Sequence, residues 1–258
     1  SRTVEGVDKN VYQRIADKYG EDHDVTRIEV KGQFPRTGSN QFIGREVVSY
    51  AAERELVPDD GAPLTMGIDV ARFGDDESVF RFRRGRDART IKPMRFRGKN
   101  TMDLATQAAT TIERLKPDAV FVDGGGVGGG VVDRLKMLGY RVIEVQSGEK
   151  ATDEEKYINK RIEMWGEMRD WLVHGCIDND EALADDLTGP EYAVDLKGRL
   201  KLESKDSLKK RGLSSPDDAD ALALTFAEQV SRLDTATARA RYRGSNMVAS
   251  SDYDVFAD

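Results

Sequence analysis

Short apolar runs alternate, in the middle of the chain, with stretches whose apolar positions recur every three or four residues. Leu64–Asp69, Ser78–Arg83 and Thr90–Phe96 read as three successive strands, with turns at Gly74-Asp75-Asp76 and Gly85-Arg86-Asp87. Met102–Leu115 reads as a helix with Leu104, Ala108, Ile112 and Leu115 on one face, ended by Lys116-Pro117. Ala119–Asp123, Gly124–Gly130, Val131–Leu138 and Arg141–Val145 then form strand, glycine loop, helix and strand, a βαβ unit. Lys156–Val173 predicts a long amphipathic helix on Ile158, Ile162, Trp165, Met168 and Leu172, and Trp165 and Trp171 are expected in the core. A short acidic helix near Glu181–Leu187 precedes a hairpin across Lys197-Gly-Arg, and Ser215-Pro216 opens a last helix closing near Val230.

Upstream, Val11–Tyr19 and Ile43–Glu55 read as helices around the polar segment Lys31–Asn40, and Arg232–Asp258 has the low periodicity of a mobile tail. The expected organisation is an extension over 1–60, a domain over 61–231 and a tail over 232–258. Its element order predicts an α/β fold, a mixed sheet flanked by helices.

Four acids stand out against this frame. Asp69 and Asp123 each close an apolar run, so each is expected at the tip of a buried strand. Asp217 and Asp220 fall in the first turn of the last helix and, three apart, share a face. Carboxylates gathered from three distant segments repel one another and lose hydration, so the cluster persists only if a cation or an Arg or Lys neutralises it. Hard divalent cations suit such oxygen donors best. Asp218 is a helix cap or an auxiliary ligand, and Asp75, Asp76 and Glu77 read as turn residues, the alternative being that one of them reaches the metal shell.

Composition narrows the partners. Two histidines and a single cysteine, Cys176, argue against zinc and exclude an internal disulfide. No secretory signal or membrane segment is visible in the sequence. A net charge of −7 is unpromising for a protein that binds a polyanion, yet the basic residues are clustered. Nine lie between Arg81 and Lys99 against one acid, Asp87, and seven between Lys197 and Arg211 against Glu203 and Asp206. Such flanks beside an acidic cluster suit phosphate binding around a metal. Arg81, Arg83, Arg84, Lys197, Arg199, Lys201, Lys205 and Lys209 are the expected polyanion contacts, and Lys205 and Lys209 read as solvated surface ahead of a role opposing charge at a reacting phosphate.

Two other motifs compete with this reading. Gly124–Gly130 satisfies G-x-G-x-x-G, with Glu144 at the position of a ribose-binding acid, but Asp123 would then adjoin a pyrophosphate. Gly67-Ile-Asp69 and Val122-Asp-Gly-Gly-Gly126 resemble the phosphate hairpins of actin and sugar-kinase-type phosphotransferases, which need a second lobe that this length does not accommodate.

The element order, with acids on the first strand, a later strand and a late helix, resembles the ribonuclease H-like fold. The segments G-I-D-V-A-R-F-G-D-D-E-S, V-F-V-D-G-G-G-V-G-G-G, N-K-R-I-E-M-W-G-E-M-R-D-W-L and S-K-D-S-L-K-K-R-G-L-S-S-P-D-D-A-D-A-L-A-L-T-F are similar to the large terminase subunits of tailed bacteriophages, over roughly Val30 to Ala227. The resemblance implies a C-terminal nuclease that cuts concatemeric viral DNA with little sequence specificity, using two Mg²⁺ or Mn²⁺ ions held by Asp69, Asp123, Asp217 and Asp220. It also implies an ATPase motor in the same protein, portal and small-terminase partners, and action in the host cytoplasm. No G-x-x-x-x-G-K-S/T is present, so the motor itself is not represented, and residues 1–60 resemble the connection out of it. The late D-x-x-D also resembles Holliday-junction resolvases. The non-enzymatic alternative is a portal-docking module with vestigial acids.

Overall fold

The computed structural model describes residues 40–71 and 76–231. The expected helix at Val11–Tyr19, the segment from Lys31 to Ser39, Gly74 and Asp75 in the first turn, and the tail from Arg232 lie outside the described residues. The chain divides into units Ser1–Phe42 and Ile43–Asp258, and every element below belongs to the second.

Helix α1 (Arg45–Glu53) precedes β1 (Leu64–Asp69), β2 (Ser78–Arg84), β3 (Asp87–Ala88) and β4 (Met94–Phe96). Then come α2 (Thr101–Leu115), β5 (Ala119–Asp123), α3 (Gly128–Met137), β6 (Ile143–Val145), α4 (Lys160–Leu172) and β7 (Cys176–Ile177). The last elements are α5 (Glu181–Thr188), β8 (Tyr192–Val194), β9 (Leu200–Leu202), α6 (Lys205–Lys210) and α7 (Asp217–Leu224). The main sheet runs β6-β5-β1-β2-β3-β7, with β4 on β2, while β8 and β9 form a separate hairpin. Strand β1 is antiparallel to β2 and parallel to β5, so the expected mixed sheet flanked by helices is present.

Strand alternation divides the sheet into two chemically different faces. Leu64, Met66 and Ile68 of β1, Phe80 and Phe82 of β2, and Val120 and Val122 of β5 pack under α2 and α3, against Leu104, Ala108, Ile112, Val131 and Leu135. The opposite parity, Thr65-Gly67-Asp69 and Val79-Arg81-Arg83, faces α7, which packs on β1 and β2. Gly67 makes that approach possible, since a Cβ there would stand 2.0 Å from the Ala221 carbonyl oxygen. Helix α7 is in turn covered by α4 and α5, and α1, with Val48 and Ala51 buried, packs on α5.

Several boundaries differ from the sequence expectation for identifiable reasons. The third strand splits because the Asp87 carboxylate accepts from the Arg89 and Thr90 amides, turning the chain before Pro93. Helix α3 starts inside the glycine run, where a Cβ at Gly128 would lie 1.8 Å from the Asp123 carbonyl oxygen. Asn159 caps α4 by accepting from the Ile162 amide at 3.2 Å, so that helix begins later than Lys156. Helix α6, capped by Ser204, and the short β7 were not expected from the pattern.

Candidate metal centre and its ion-pair surroundings

Asp69 and Asp123 end adjacent parallel strands. Because Ile68 pairs with Val122 in register, the two carboxyls leave neighbouring strand tips with the same parity, toward α7. The first turn of α7 supplies Asp217 and Asp220, both buried. Into this space comes Lys205, the first residue of α6. Its Nζ lies 3.3 Å from Asp69 Oδ2, 3.2 Å from Asp217 Oδ1 and 3.1 Å from Asp220 Oδ2, with the side chain 38 % exposed. Three carboxylates from β1 and α7 therefore surround one cationic point. Among the described residues no three His, Cys, Asp or Glu side chains stand at direct metal-binding spacing; the ammonium occupies the centre of the group.

Each acid is held differently. Asp220 accepts from Arg161 Nε at 3.0 Å, from Arg161 Nη2 at 3.1 Å and from Trp165 Nε1 at 2.8 Å. Burial opposes its ionisation, but Arg161, Lys205 and the Trp165 hydrogen bond overcome it and bring its pKa to about 2. Asp69 has no such fork. Burial raises its pKa to about 7, Lys205 opposes that rise, and the charges of Asp220, Asp217 and Asp123 add to it. Asp217 accepts from the Glu77 amide at 3.0 Å and from the Ser215 hydroxyl. It is pushed upward by burial against the pull of Lys205. Asp123 accepts from the Gly125 amide at 3.0 Å and is likewise raised by burial. Lys205 is held well above the usual ammonium range: burial works against its charge, and Asp69, Asp220 and Asp217 outweigh it.

Asp218 belongs to a different system. It points to the β2–β4 side, where Arg81 Nε reaches Oδ1 at 2.8 Å and Arg95 Nε reaches Oδ2 at 2.7 Å. Arg81 also pairs with Asp178 at 3.2 Å, and Arg95 with Asp180 at 2.5 Å. The Asp218 amide donates to Asp186 at 3.0 Å; burial, reinforced by Asp218, raises the Asp186 pKa to about 8. Arg81 and Arg95 thus engage both oxygens of Asp218, whereas Lys205 reaches Asp69, Asp217 and Asp220.

The first basic cluster is largely committed within the fold. Arg81 is 1 % exposed and committed to Asp178 and Asp218. Arg83 lies 4.1 Å over the Phe226 ring and donates to the Thr225 hydroxyl and carbonyl, and burial lowers its pKa to about 10. Arg84 pairs in register with Leu64, at the end of β1 opposite Asp69. None of these β2 arginines faces the acids as a phosphate ligand. At the acid end, where Ser78 pairs with Phe96, stand the exposed Arg97, 3.1 Å from Glu77, and Lys99. In the second cluster Lys197, Lys201 and Lys209 are exposed. Arg199 is tied to Asp195 at 2.8 Å, and Lys209 to Asp76 at 2.9 Å.

The sequence reading missed Arg161, whose signal was its spacing from Trp165, four residues on along the same helical face. Trp165 is fully buried, as expected, but its indole N–H also holds Asp220. Glu144, the acid of the dinucleotide motif, instead pairs with Lys136 at 3.7 Å and accepts from Gln146.

No protein-family model matches the chain. It is 24 % identical over 228 residues to a probable large terminase subunit of Enterobacteria phage P7, covering 82 % of this chain and 46 % of that protein. The chain thus spans about half the length of this curated relative. Among solved structures, a manganese and β-thujaplicinol form of the nuclease domain of the large terminase subunit of bacterial virus Sf6 superposes with a TM-score of 0.64 at 19 % identity, over 71 % of this chain and 97 % of that one. The large terminase nuclease of thermophilic phage G20c with bound magnesium gives 0.50 at 16 % identity, over 66 % and 83 %.

Proposed function

We propose that this chain, which has the fold of the nuclease domains of phage large terminase subunits, is the nuclease part of such a subunit and hydrolyses viral DNA with divalent metal ions. The observation that carries the reading is the convergence of Asp69, Asp217 and Asp220 on one cationic point, with Asp123 at the neighbouring strand tip. The converging donors are all carboxylate oxygens, which fits Mg²⁺ or Mn²⁺. The ions, when bound, supply an activated water and neutralise charge on the reacting phosphate.

The protein's own residues prepare for that chemistry. Asp69, Asp123, Asp217 and Asp220 would hold the ions. Arg161 and Trp165 keep Asp220 ionised and fixed in orientation. Lys205 neutralises the acids in the absence of metal. Being a flexible, partly exposed point charge, it yields to a divalent ion more readily than a bidentate arginine would. The exposed lysines of the β8–β9 and α6 region then hold the DNA backbone without reading bases. The ATPase motor of the same protein, the portal and the small terminase subunit are the proposed partners, in the host cytoplasm. Among the described residues no helix is long and apolar enough to cross a membrane.

Plasmid digestion with Mn²⁺ or Mg²⁺, comparing wild type with Asp69→Ala, tests the proposal. Cutting by the wild type alone is expected. Equal cutting by both, or none by the wild type with either metal, overturns it.

A further inference from the structure

The β8–β9 hairpin ends in a feature that metal chemistry does not require. Leu196 at its tip is wholly exposed, at 108 % of the reference area, and Val194 beside it is 50 % exposed. An isolated exposed leucine is unremarkable by itself. This one is held out by a braced turn. The Gly198 amide donates to the Asp195 carbonyl at 3.0 Å, the Asp195 amide to the Arg199 carbonyl at 2.9 Å, and Gly198 takes φ +82°. The Asp195 carboxylate accepts from the Lys197 amide at 2.8 Å, the Arg199 amide at 2.9 Å and the Arg199 guanidinium at 2.8 Å. These bonds use up Asp195 and Arg199, leaving Leu196 and the exposed Lys197 and Lys201 as what the hairpin presents.

The hairpin is also mechanically continuous with the acids. Its base is pinned where the Leu200 amide donates to the Lys156 carbonyl and the Ile158 amide to the Leu200 carbonyl. Arg161 donates to the Glu203 carbonyl at 3.0 Å while gripping Asp220, and two residues beyond Glu203 comes Lys205. From the hairpin the exposed cations continue to Lys209 and Lys210 on α6. A rigid apolar tip flanked by lysines, on a cationic path to the acids, matches an apolar side chain inserted between base steps while lysines grip phosphates.

We propose that Leu196 is a wedge that partly unstacks duplex DNA beside the cleavage site. The inference rests on the nuclease reading and adds a positioning residue to it. Unstacking locally unwinds the duplex, and because it needs no particular base it is read from plasmid topology. Closed-circular plasmid is relaxed by a metal-independent topoisomerase in EDTA with wild type, Leu196→Ser or Leu196→Phe. Duplex binding is followed in parallel by gel shift, and cutting with Mn²⁺ separately. The wild type and Leu196→Phe are expected to shift the linking-number distribution. Leu196→Ser is expected to lose the shift, with duplex affinity falling about tenfold or less. A wild type that cuts plasmid but leaves linking number unchanged, or a Leu196→Ser protein with an undiminished shift, overturns the wedge while the nuclease reading stands. Absence of cutting by the wild type with either metal overturns the nuclease reading itself.

Discussion

One turn of α7 sends its acids into two unlike neighbourhoods. Asp217 and Asp220 share one lysine ammonium, with Arg161 also gripping Asp220, whereas Asp218, between them in sequence, faces two arginines and is not reached by that lysine. Both arrangements neutralise buried carboxylate, but by different means. Arg81 and Arg95 grip Asp218 through directed forks inside a cluster that also includes Asp178 and Asp180. Lys205 sits at 3.1–3.3 Å from three carboxylates at once, satisfying none of them fully, and remains partly open to solvent. The difference separates a structural ion cluster, whose members cannot be exchanged, from one whose central cation is replaceable.

The strongest break of this comparison is Asp69→Ala, expected to remove plasmid cutting outright while the far-ultraviolet circular dichroism stays native. Residual cutting at wild-type rate would mean that the lysine-centred acids are no more catalytic than the arginine-centred ones. Arg81→Met, in the other cluster, is expected to destabilise the fold by about 3–5 kcal/mol by leaving buried Asp218 and Asp178 short of a partner. Urea unfolding measures it. A loss under about 1 kcal/mol would show that the cluster is not the brace that positions α7.

How much of this was visible in the sequence depends on whether the deciding contact was local. The strand tips of Asp69 and Asp123 were legible because an apolar run ending in an acid is a local signal. The mixed sheet followed from element order in the same way. The pairing of Arg81 with Asp218 was not legible because the side that Arg81 faces depends on sheet parity. Phe80 and Phe82 alternate with Arg81 and Arg83, and the pattern reads as an apolar face over a solvated basic one. In the fold the second face is covered by α7, through an approach that only Gly67 permits, and the arginines become buried counterions. Helix α6 was missed because its six residues bury only Leu208, too little to write a periodic stripe. Lys205 was placed among DNA-binding residues because charge alone does not show that three distant acids surround it.

Replacing the lysine sharpens the contrast next. Lys205→Ala removes the counterion from Asp69, Asp217 and Asp220, so the metal-free protein is expected to melt lower than wild type and to be rescued by Mn²⁺ more strongly. At a hundredfold excess over Kd, binding contributes about 2.7 kcal/mol, or roughly 5–10 °C in a domain of this size. Arg95→Ala, in the other cluster, is expected to lower the melting temperature and to gain from Mn²⁺ only what wild type gains. Equal responses to Mn²⁺ in the two variants would erase the distinction.

The smallest effect is that of pH, and it has opposite signs at Asp69 and Asp220. Asp69, raised to about 7, holds a proton in the folded protein over a range where the unfolded chain has lost it. Its contribution to metal-free stability is therefore present at low pH and fades as pH rises through 7. Asp220, brought to about 2, contributes stability above its unfolded pKa that is lost only as pH falls toward 2. Of these two acids only Asp69 changes state between pH 6 and 8, and its proton competes with the metal. Apparent Mn²⁺ affinity, read from the melting shift, is expected to drop by up to about tenfold per unit below pH 7, about 1.4 kcal/mol. Metal binding equally tight at pH 6 and pH 8 would mean that Asp69 is not the ligand whose deprotonation admits the ion.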